Sequence, residues 1–202
     1  MPSASQPDQT ISPRHRVAVF ASGAGTNAAA IIAYFKDHPA IRVALVVCNK
    51  KGAGVLEIAA QSGIPVLEIK KERFLNGDGY VPSLAADGIT FIVLAGFLWK
   101  VPATLISAFP GKIINIHPAL LPSYGGKGMY GANVHAAVLA NRERQSGITI
   151  HYVDEHYDNG DIIFQATCLV LPTDTPDSLA ERVHRLEHRQ YAPIIAQVLM
   201  GK

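Results

Sequence analysis

The chain has 202 residues, of which 49% are hydrophobic and 17% are charged, and its formal net charge is +2. This length and apolar content can supply one sizeable core, and they exclude the high charge and low hydrophobicity of a disordered chain. The small net charge and the absence of a long run of like charges disfavour nucleic acid and membrane surfaces as partners. Small molecules are therefore the expected partners, and a monomer or a homodimer is equally compatible with the composition.

Neither the N-terminus nor the cysteine pattern indicates export. Residues 1–15 contain no apolar segment of the kind that a secretory signal needs, so we predict a disordered tail there and one domain over residues 16–202. The longest apolar stretch, residues 91–99, is far shorter than the roughly 20 residues of a membrane-spanning helix. Cys48 and Cys168 are far apart, which predicts buried thiols in a reducing compartment. We therefore expect a cytoplasmic protein.

Short apolar segments alternate with longer helical patterns along the rest of the chain, as in βαβ units around a parallel sheet. Strands are predicted over residues 16–21, 42–49, 66–69, 89–94, 113–117, 147–153 and 161–170. Helices are predicted over residues 28–38, 54–62, 134–141 and 176–199, the last with Thr175 as N-cap and a proline in its first turn. This order predicts a single α/β domain with a mostly parallel, Rossmann-like sheet covered by helices on both faces.

The segment SGAGTN, residues 22–27, joins the first strand to the first helix. It places backbone N–H groups at a helix N-terminus, where free donors and the helix dipole stabilise an anion, so a phosphate is the expected guest. Gly23, Gly25 and Ala28 also satisfy the dinucleotide fingerprint, but no acid follows the second strand to bind a ribose. NAD is therefore disfavoured, while the lysine pair at residues 50–51 leaves NADP possible, and a simple tight turn is the structural alternative.

Polar residues interrupt the fifth strand at its carboxyl end, which is the edge of an α/β sheet at which ligands bind. The two-residue period of a strand places Asn115 and His117 on one face. An amide N–H can donate to a developing oxyanion and an imidazole can move a proton, so this pair suits acyl chemistry. One carboxylate from the turn at residues 154–161 would raise the pKa of His117, but spacing does not select which acid. The structural alternative is a buried histidine that bonds a backbone carbonyl.

The loop after the fifth strand, PALLPSYGGKGMYGAN, is about 16 residues long, a length that usually indicates function in a compact domain.

Two metal sites are conceivable, and both are disfavoured. His184 and His188 lie one helical turn apart but lack the adjacent glutamate of a zinc hydrolase. His151, Asp154 and His156 could hold an ion only if the strand end folded back. No metal is therefore expected.

Seven segments, in chain order, match a known family: VAVFASGAGTN, VVCNK, GIPV, FIVLAGFLWKVP, KIINIHPALLPSYGGKGMYG, SGITIHYVDEHYDNGDIIFQ and HRLEHRQYAP. They run from about Arg16 to Tyr191, nearly the whole chain after the tail. The chain resembles the folate-dependent formyltransferases, and among them the phosphoribosylglycinamide formyltransferase family. The resemblance implies one catalytic domain that transfers the formyl group of 10-formyltetrahydrofolate, as co-substrate, to the amine of glycinamide ribonucleotide, with no metal.

The resemblance also implies a role for each matched residue. The implied catalytic residues, with the aspartate keeping the histidine protonated, are Asn115, His117 and Asp158. The implied contacts to the ribonucleotide, three on its phosphate and the last on its ribose, are Gly25, Thr26, Asn27 and Glu187. The implied folate contacts are Leu98, Trp99, Lys100 and Val101, together with Asn115.

Other functions share part of this pattern. Methionyl-tRNA formyltransferases and formyltetrahydrofolate hydrolases use the same chemistry, but each is expected to carry a further domain that 202 residues do not hold. An NADP-binding oxidoreductase would explain SGAGTN but gives no role to the NIHP segment or the late aspartate. A non-catalytic nucleotide-binding module is disfavoured because its catalytic positions would be free to drift.

Overall fold

The structure is a computed structural model that describes residues 14–201. Its strands are β1 (His15–Ala21), β2 (Ile41–Cys48), β3 (Val66–Glu68), β4 (Phe91–Leu94), β5 (Ile113–His117), β6 (Gln145–Tyr152) and β7 (Ile162–Leu169). Its helices are α1 (Thr26–Phe35), α2 (Gly54–Gln61), α3 (Lys71–Asn76), α4 (Val81–Ala86), α5 (Ala103–Ala108), α6 (Ala132–Ala140) and α7 (Pro176–Met200). The predicted tail lies outside the described residues except at its last two positions, where β1 already begins at His15.

The seven strands form one sheet in the order β3-β2-β1-β4-β5-β6-β7. Strands β1 to β5 run parallel, β6 is antiparallel to β5, and β7 is antiparallel to β6. The predicted α/β fold with a mostly parallel sheet is confirmed. Because the chain leaves β1 toward β2 and later returns to β4 on the other side of β1, the order reverses between β1 and β4. Ligands of open α/β sheets bind at such a reversal, outside the carboxyl ends of the strands.

Apolar side chains cover both faces of the sheet. Along β1, Val17 and Val19 join the buried cluster that includes residues of α1, α2, α6 and α7. Ala18 and Phe20, which point the opposite way, join the cluster that includes residues of α3, α4 and α5. The prediction of helices on both faces is confirmed, and it explains why the central strands are apolar nearly throughout. None of the described helices is both long and apolar enough to cross a membrane.

Helix α1 begins two residues earlier and ends three residues earlier than predicted. It begins early because Gly25 is its N-cap, in a left-handed conformation with φ 81°. A Cβ at this position would lie 2.8 Å from Val55, so the turn requires glycine. It ends early because His38 precedes Pro39, which disfavours helical backbone, and the His38 ring accepts the N–H of Ile41 instead.

Helix α7 begins as the sequence predicts. Thr175 is the N-cap, its hydroxyl accepts the N–H of Ser178, and Ser178 returns a bond to the Thr175 N–H. This reciprocal pair satisfies two donors that a helix start otherwise leaves free. The helix then runs for 25 residues and packs against α1 and α6. It thereby brings Glu187 back to the carboxyl edge of the sheet.

Candidate active site

A cavity of about 720 Å³ opens at the carboxyl ends of β1, β4 and β5. It lies where the strand order reverses. The residues to which the family resemblance assigned roles all line it: Gly25, Thr26, Asn27, Leu98, Trp99, Lys100, Val101, Asn115, His117, Asp158 and Glu187. The lysine pair at residues 50–51, which kept NADP possible as a ligand, is not part of this lining. One cavity therefore holds the segment SGAGTN, residues 22–27, which we call the glycine loop, together with the candidate catalytic groups.

The N-terminus of α1 and the middle of α7 form one end of the cavity. The first-turn N–H groups of α1 have no partner within the helix, so they are free to bind an anion. The Asn27 side chain donates from Nδ2 to Glu187 Oε2 over 2.8 Å, which ties α1 to α7. Burial raises the pKa of Glu187, and the Asn27 bond only partly opposes this. This end combines anion-binding donors with a carboxyl group that can bond hydroxyls.

The segment after β4 forms a second wall. The N–H of Leu98 donates to the Ser22 hydroxyl over 3.0 Å, which fixes the segment to the glycine loop. Trp99 packs against Phe74, with ring centres 5.9 Å apart, so part of this side chain serves the core. The Lys100 ammonium lies 5.8 Å from the centre of the Tyr157 ring. The wall is therefore anchored through its backbone and offers an apolar surface to a flat ligand.

The three candidate catalytic residues converge from β5 and from the turn before β7. Asp158 Oδ2 lies 3.6 Å from His117 Nδ1 and accepts the N–H of Gly126 over 2.9 Å. Asp158 has a left-handed backbone, with φ 51°, which turns its side chain back toward β5. A Cβ on Gly160 would collide with the carbonyl oxygen of Tyr152, so the D-x-G spacing is needed to close this turn. Among the acids of the turn, the geometry selects Asp158 as the partner of His117.

Both ring nitrogens of His117 face protein acceptors. Nε2 lies 2.7 Å from the carbonyl oxygen of Tyr124, to which it donates, and Nδ1 faces Asp158. The residue is only 3% exposed. His117 is thus both the buried, carbonyl-bonded histidine of the structural alternative and a partner of a carboxylate. Tyr124 belongs to the long loop between β5 and α6, so the position of this loop governs the orientation of the imidazole.

The charge of Asp158 favours a protonated His117, as expected, but it does not offset the burial of the ring. Burial lowers the pKa of His117, and although Asp158 and the Tyr124 carbonyl raise it, the net shift is downward. Burial would also raise the pKa of Asp158, but contacts with His151, His117 and the Gly126 N–H outweigh it and the net shift is downward. The physical reason is that the loop encloses the ring, and desolvation penalises the imidazolium more than one carboxylate at 3.6 Å stabilises it.

His151 is a site residue that the sequence did not identify, except as a conceivable metal ligand. It is buried on β6 directly opposite Asn115. Its Nε2 lies 3.2 Å from Asn115 Nδ2 and 3.6 Å from Asp158 Oδ1. The strand pairing thus brings a second histidine into contact with two of the three candidate catalytic residues.

Within residues 14–201, no three His, Cys, Asp or Glu side chains are arranged to hold a metal ion.

Comparisons with known proteins agree on one family. The sequence matches the formyl transferase family over residues 15–195. A chloroplastic phosphoribosylglycinamide formyltransferase from Arabidopsis thaliana is 44% identical over 191 residues, covering 92% of this chain and 65% of the relative. The chain spans less than two thirds of this relative, and 60% of a similar one from Vigna unguiculata. The phosphoribosylglycinamide formyltransferase of Bacillus subtilis is 37% identical over 91% of this chain and 94% of its own length.

Solved structures give the same result for the fold. The crystal structure of phosphoribosylglycinamide formyltransferase from Anaplasma phagocytophilum has a TM-score of 0.85 at 33% identity, covering 94% of this chain and 89% of that one. The enzyme from Bacillus halodurans has a TM-score of 0.82 at 36% identity, covering 91% and 95%. The fold, the family match and the relatives together place this chain in the formyl transferase family, among the phosphoribosylglycinamide formyltransferases.

Proposed function

We propose that this domain transfers the formyl group of 10-formyltetrahydrofolate to the amine of glycinamide ribonucleotide. One observation carries the proposal: a single cavity has a helix N-terminus at one end and the cluster of Asn115, His117 and Asp158 beside it. The family supplies the reaction class, because its members move a formyl group from a folate. The cavity supplies the acceptor class, because its anion-binding end suits a phosphorylated amine.

The two substrates occupy different walls of the cavity. The phosphate binds the N–H groups at the start of α1, beside Gly25, Thr26 and Asn27, and Glu187 bonds the ribose hydroxyls. The folate ring lies on the segment from Leu98 to Val101, whose backbone is fixed to the glycine loop through Ser22. This arrangement directs the acceptor amine and the donor formyl group toward Asn115, so the reaction becomes intramolecular within the complex.

The chemical step is a direct acyl transfer. The amine nitrogen attacks the formyl carbon, a C–N bond forms, and the carbonyl electrons move to oxygen to give a tetrahedral intermediate. The Asn115 amide donates a hydrogen bond to this oxygen, and the positive charge of a protonated His117 stabilises it electrostatically. When the intermediate collapses, the bond from the formyl carbon to the folate nitrogen breaks. The products are the formamide made from the acceptor amine and tetrahydrofolate.

The reaction requires a proton transfer, in which Asp158 and His117 take part. The attacking amine must lose a proton, and the leaving folate nitrogen must gain one. Asp158, whose pKa is below its ordinary value, is ionised at neutral pH and can guide this proton, through water, from one nitrogen to the other. Negative charge that develops on the formyl oxygen raises the pKa of His117 from its depressed value. His117 can then hold the amine's proton until it passes to the folate nitrogen, because both ring nitrogens already face acceptors.

The direct test is a steady-state assay of purified protein with 10-formyltetrahydrofolate and glycinamide ribonucleotide, in which absorbance reports release of tetrahydrofolate. We expect release that depends on the acceptor, and its loss in His117→Ala and Asp158→Ala variants that keep the wild-type circular dichroism. Release without acceptor would indicate a hydrolase. No release, or near-normal activity of either variant, would contradict the proposal.

A further inference from the structure

Tyr124, in the long loop between β5 and α6, contacts His117 through its main chain. Its carbonyl oxygen lies 2.7 Å from His117 Nε2. The backbone of Tyr124 is left-handed, with φ 59°, a conformation that residues other than glycine rarely adopt. Such a backbone persists only where its surroundings hold it, and it is found most often at functional sites. The groups that hold Tyr124 therefore also set the position of His117.

The Tyr124 side chain is held by residues that follow α6. Its hydroxyl donates to Glu143 Oε1 over 2.7 Å and accepts an N–H of the Asn141 side chain over 3.1 Å. Burial, and then the bond to Glu143, raise the pKa of Tyr124, so the hydroxyl keeps its proton at neutral pH. The ring packs against the buried cluster that includes residues of α6 and α7. One donor and one acceptor thus fix the end of a ring that is already packed.

The end of α6 has a local structure that fixes these two partners. Arg142, the residue after the C-cap, is left-handed with φ 53°. Its N–H donates to the carbonyl oxygen of Leu139 over 3.0 Å. The N–H of Glu143 donates to the carbonyl oxygen of Val138 over 3.2 Å. These two bonds form the Schellman motif of a helix C-terminus, so both partners of the hydroxyl come from a well-defined helix end.

The Tyr124 carbonyl determines which nitrogen of His117 carries the proton in the neutral ring. A neutral imidazole has one N–H, and a carbonyl oxygen can only accept, so this N–H lies on Nε2. Nδ1, which faces Asp158 over 3.6 Å, is then the atom free to take up a further proton. If the carbonyl moved away, the ring could adopt the other tautomer, with its proton on Nδ1. The nitrogen that accepts a proton would then face away from Asp158.

We infer that Asn141 and Glu143 are positioning residues for His117. They hold Tyr124 so that its carbonyl keeps the neutral His117 ring in the Nε2–H form, with Nδ1 ready to accept the proton of the reaction. This inference rests on the proposed function, in which His117 takes part in proton transfer. Neither Asn141 nor Glu143 is part of the cavity lining, so both act through Tyr124 and not on a substrate.

Kinetics separate positioning from substrate binding. Tyr124→Phe removes the hydroxyl and keeps the ring, while Glu143→Ala removes its acceptor at an exposed position. In variants that keep the wild-type circular dichroism, each change should lower kcat about 2-fold to 10-fold, the range for one lost hydrogen bond. KM for both substrates should stay within about twofold, because the bound substrates are not contacted.

Two further variants test whether the effect passes through one link. The Tyr124→Phe, Glu143→Ala double variant should lose no more activity than the more affected single variant, because both changes break the same bond. Glu143→Gln keeps an oxygen that can accept the hydroxyl, and it should recover most of the loss seen in Glu143→Ala. Glu181→Ala removes another exposed carboxylate, on α7, and should behave as wild type.

The tautomer of His117 is a readout that needs no turnover. In protein with ¹⁵N-labelled histidine, the ring-nitrogen chemical shifts report which nitrogen carries the proton when the ring is neutral. Comparison with His117→Gln assigns the signals. Wild type and Glu181→Ala should show the Nε2–H form, and Tyr124→Phe and Glu143→Ala should show an increased share of the Nδ1–H form.

The two readouts distinguish this inference from the proposed function. A tautomer shift in Tyr124→Phe and Glu143→Ala, together with no formyl transfer by wild type, would sink the proposed function alone. Formyl transfer by wild type with an unshifted tautomer in both variants would sink this inference alone. A wild-type kcat in both variants, or losses that add in the double variant, would likewise overturn it.

Discussion

The Nε2 atom of His151 lies 3.2 Å from the Nδ2 atom of Asn115, across the β5–β6 pair. The other ring nitrogen, Nδ1, lies 2.8 Å from the carbonyl oxygen of Tyr152 and must carry a proton to bond it. In the neutral ring, Nε2 is therefore an acceptor, and it takes one N–H of the Asn115 amide. His151 thus fixes which end of that amide is its nitrogen and leaves the second N–H for the formyl oxygen.

Replacing His151 by Phe should lower kcat about 10-fold to 100-fold, somewhat less than the loss expected for removing an oxyanion donor outright. The ring volume is kept, but Asn115 loses its acceptor and its amide can rotate. Because the interaction acts in the transition state, KM for both substrates should change little. Steady-state kinetics measure this split, and a wild-type kcat in the Phe variant would refute the positioning role of His151.

A double-mutant cycle checks that His151 acts through Asn115. In an Asn115→Ala background the amide is absent, so adding His151→Phe should cost little further activity. Additive losses in the cycle would mean that His151 acts independently of Asn115.

Changing Asp158 to Asn should lower the pKa of His117 below its already depressed value. The carboxylate raises the pKa of His117 against the effect of burial, and an amide removes that charge. The Asn side chain keeps an oxygen for the Gly126 N–H, so the turn can hold its shape. An NMR titration of the His117 ring in both proteins gives the comparison. A pKa that stays constant or rises would show that Asp158 does not stabilise the imidazolium.

The glycine loop offers a matched pair of substitutions. Gly25→Ala should destabilise the fold by at least about 1 kcal/mol and weaken acceptor binding, because φ is 81° and the new Cβ would lie 2.8 Å from Val55. Gly23→Ala should change stability by less than about 0.5 kcal/mol, since its φ is ordinary and no atom lies within 4 Å of the place that the added methyl group would take. Urea denaturation of both variants makes the comparison, and equal effects would contradict it.

Acid should destabilise the protein partly through His135. The unfolded side chain takes up a proton near pH 6.5, whereas the folded one does so only near 4. Between these values the unfolded state binds more protons, so stability falls as pH falls. From pH 7.5 to 5.0 this single group should remove about 2 kcal/mol. Denaturation curves at both pH values should show a smaller loss in His135→Leu than in wild type, and equal losses would exclude this origin.

The sequence predicts the sheet and the membership of the site for a physical reason. Residues at the carboxyl ends of parallel strands share one edge, so Asn27, Trp99 and His117 meet without any knowledge of helix packing. The apolar strands and the capped start of α7 are local patterns. Each is decided by residues within a few positions of one another, as the Thr175 and Ser178 pair illustrates.

The features of the site that the sequence does not predict depend on strand register and on the burial of side chains. His151 reaches Asn115 only because β6 turns antiparallel and pairs these two positions, which no local pattern fixes. The pKa of His117 falls because the loop that carries Tyr124 covers it, and burial of this kind is a property of packing. His135 is similar, since its burial beside the cavity follows from packing and not from its spacing.

Isotope tracing tests direct transfer within one cavity. The protein is given donor labelled with ¹³C at the formyl carbon, glycinamide ribonucleotide and an excess of unlabelled formate, and the product is analysed by mass spectrometry. We expect every formylated product molecule to carry the label, because the amine attacks the donor before the formyl group can leave the cavity. Unlabelled product, or labelled formate in place of product, would contradict formyl transfer between substrates held side by side at Asn115 and His117.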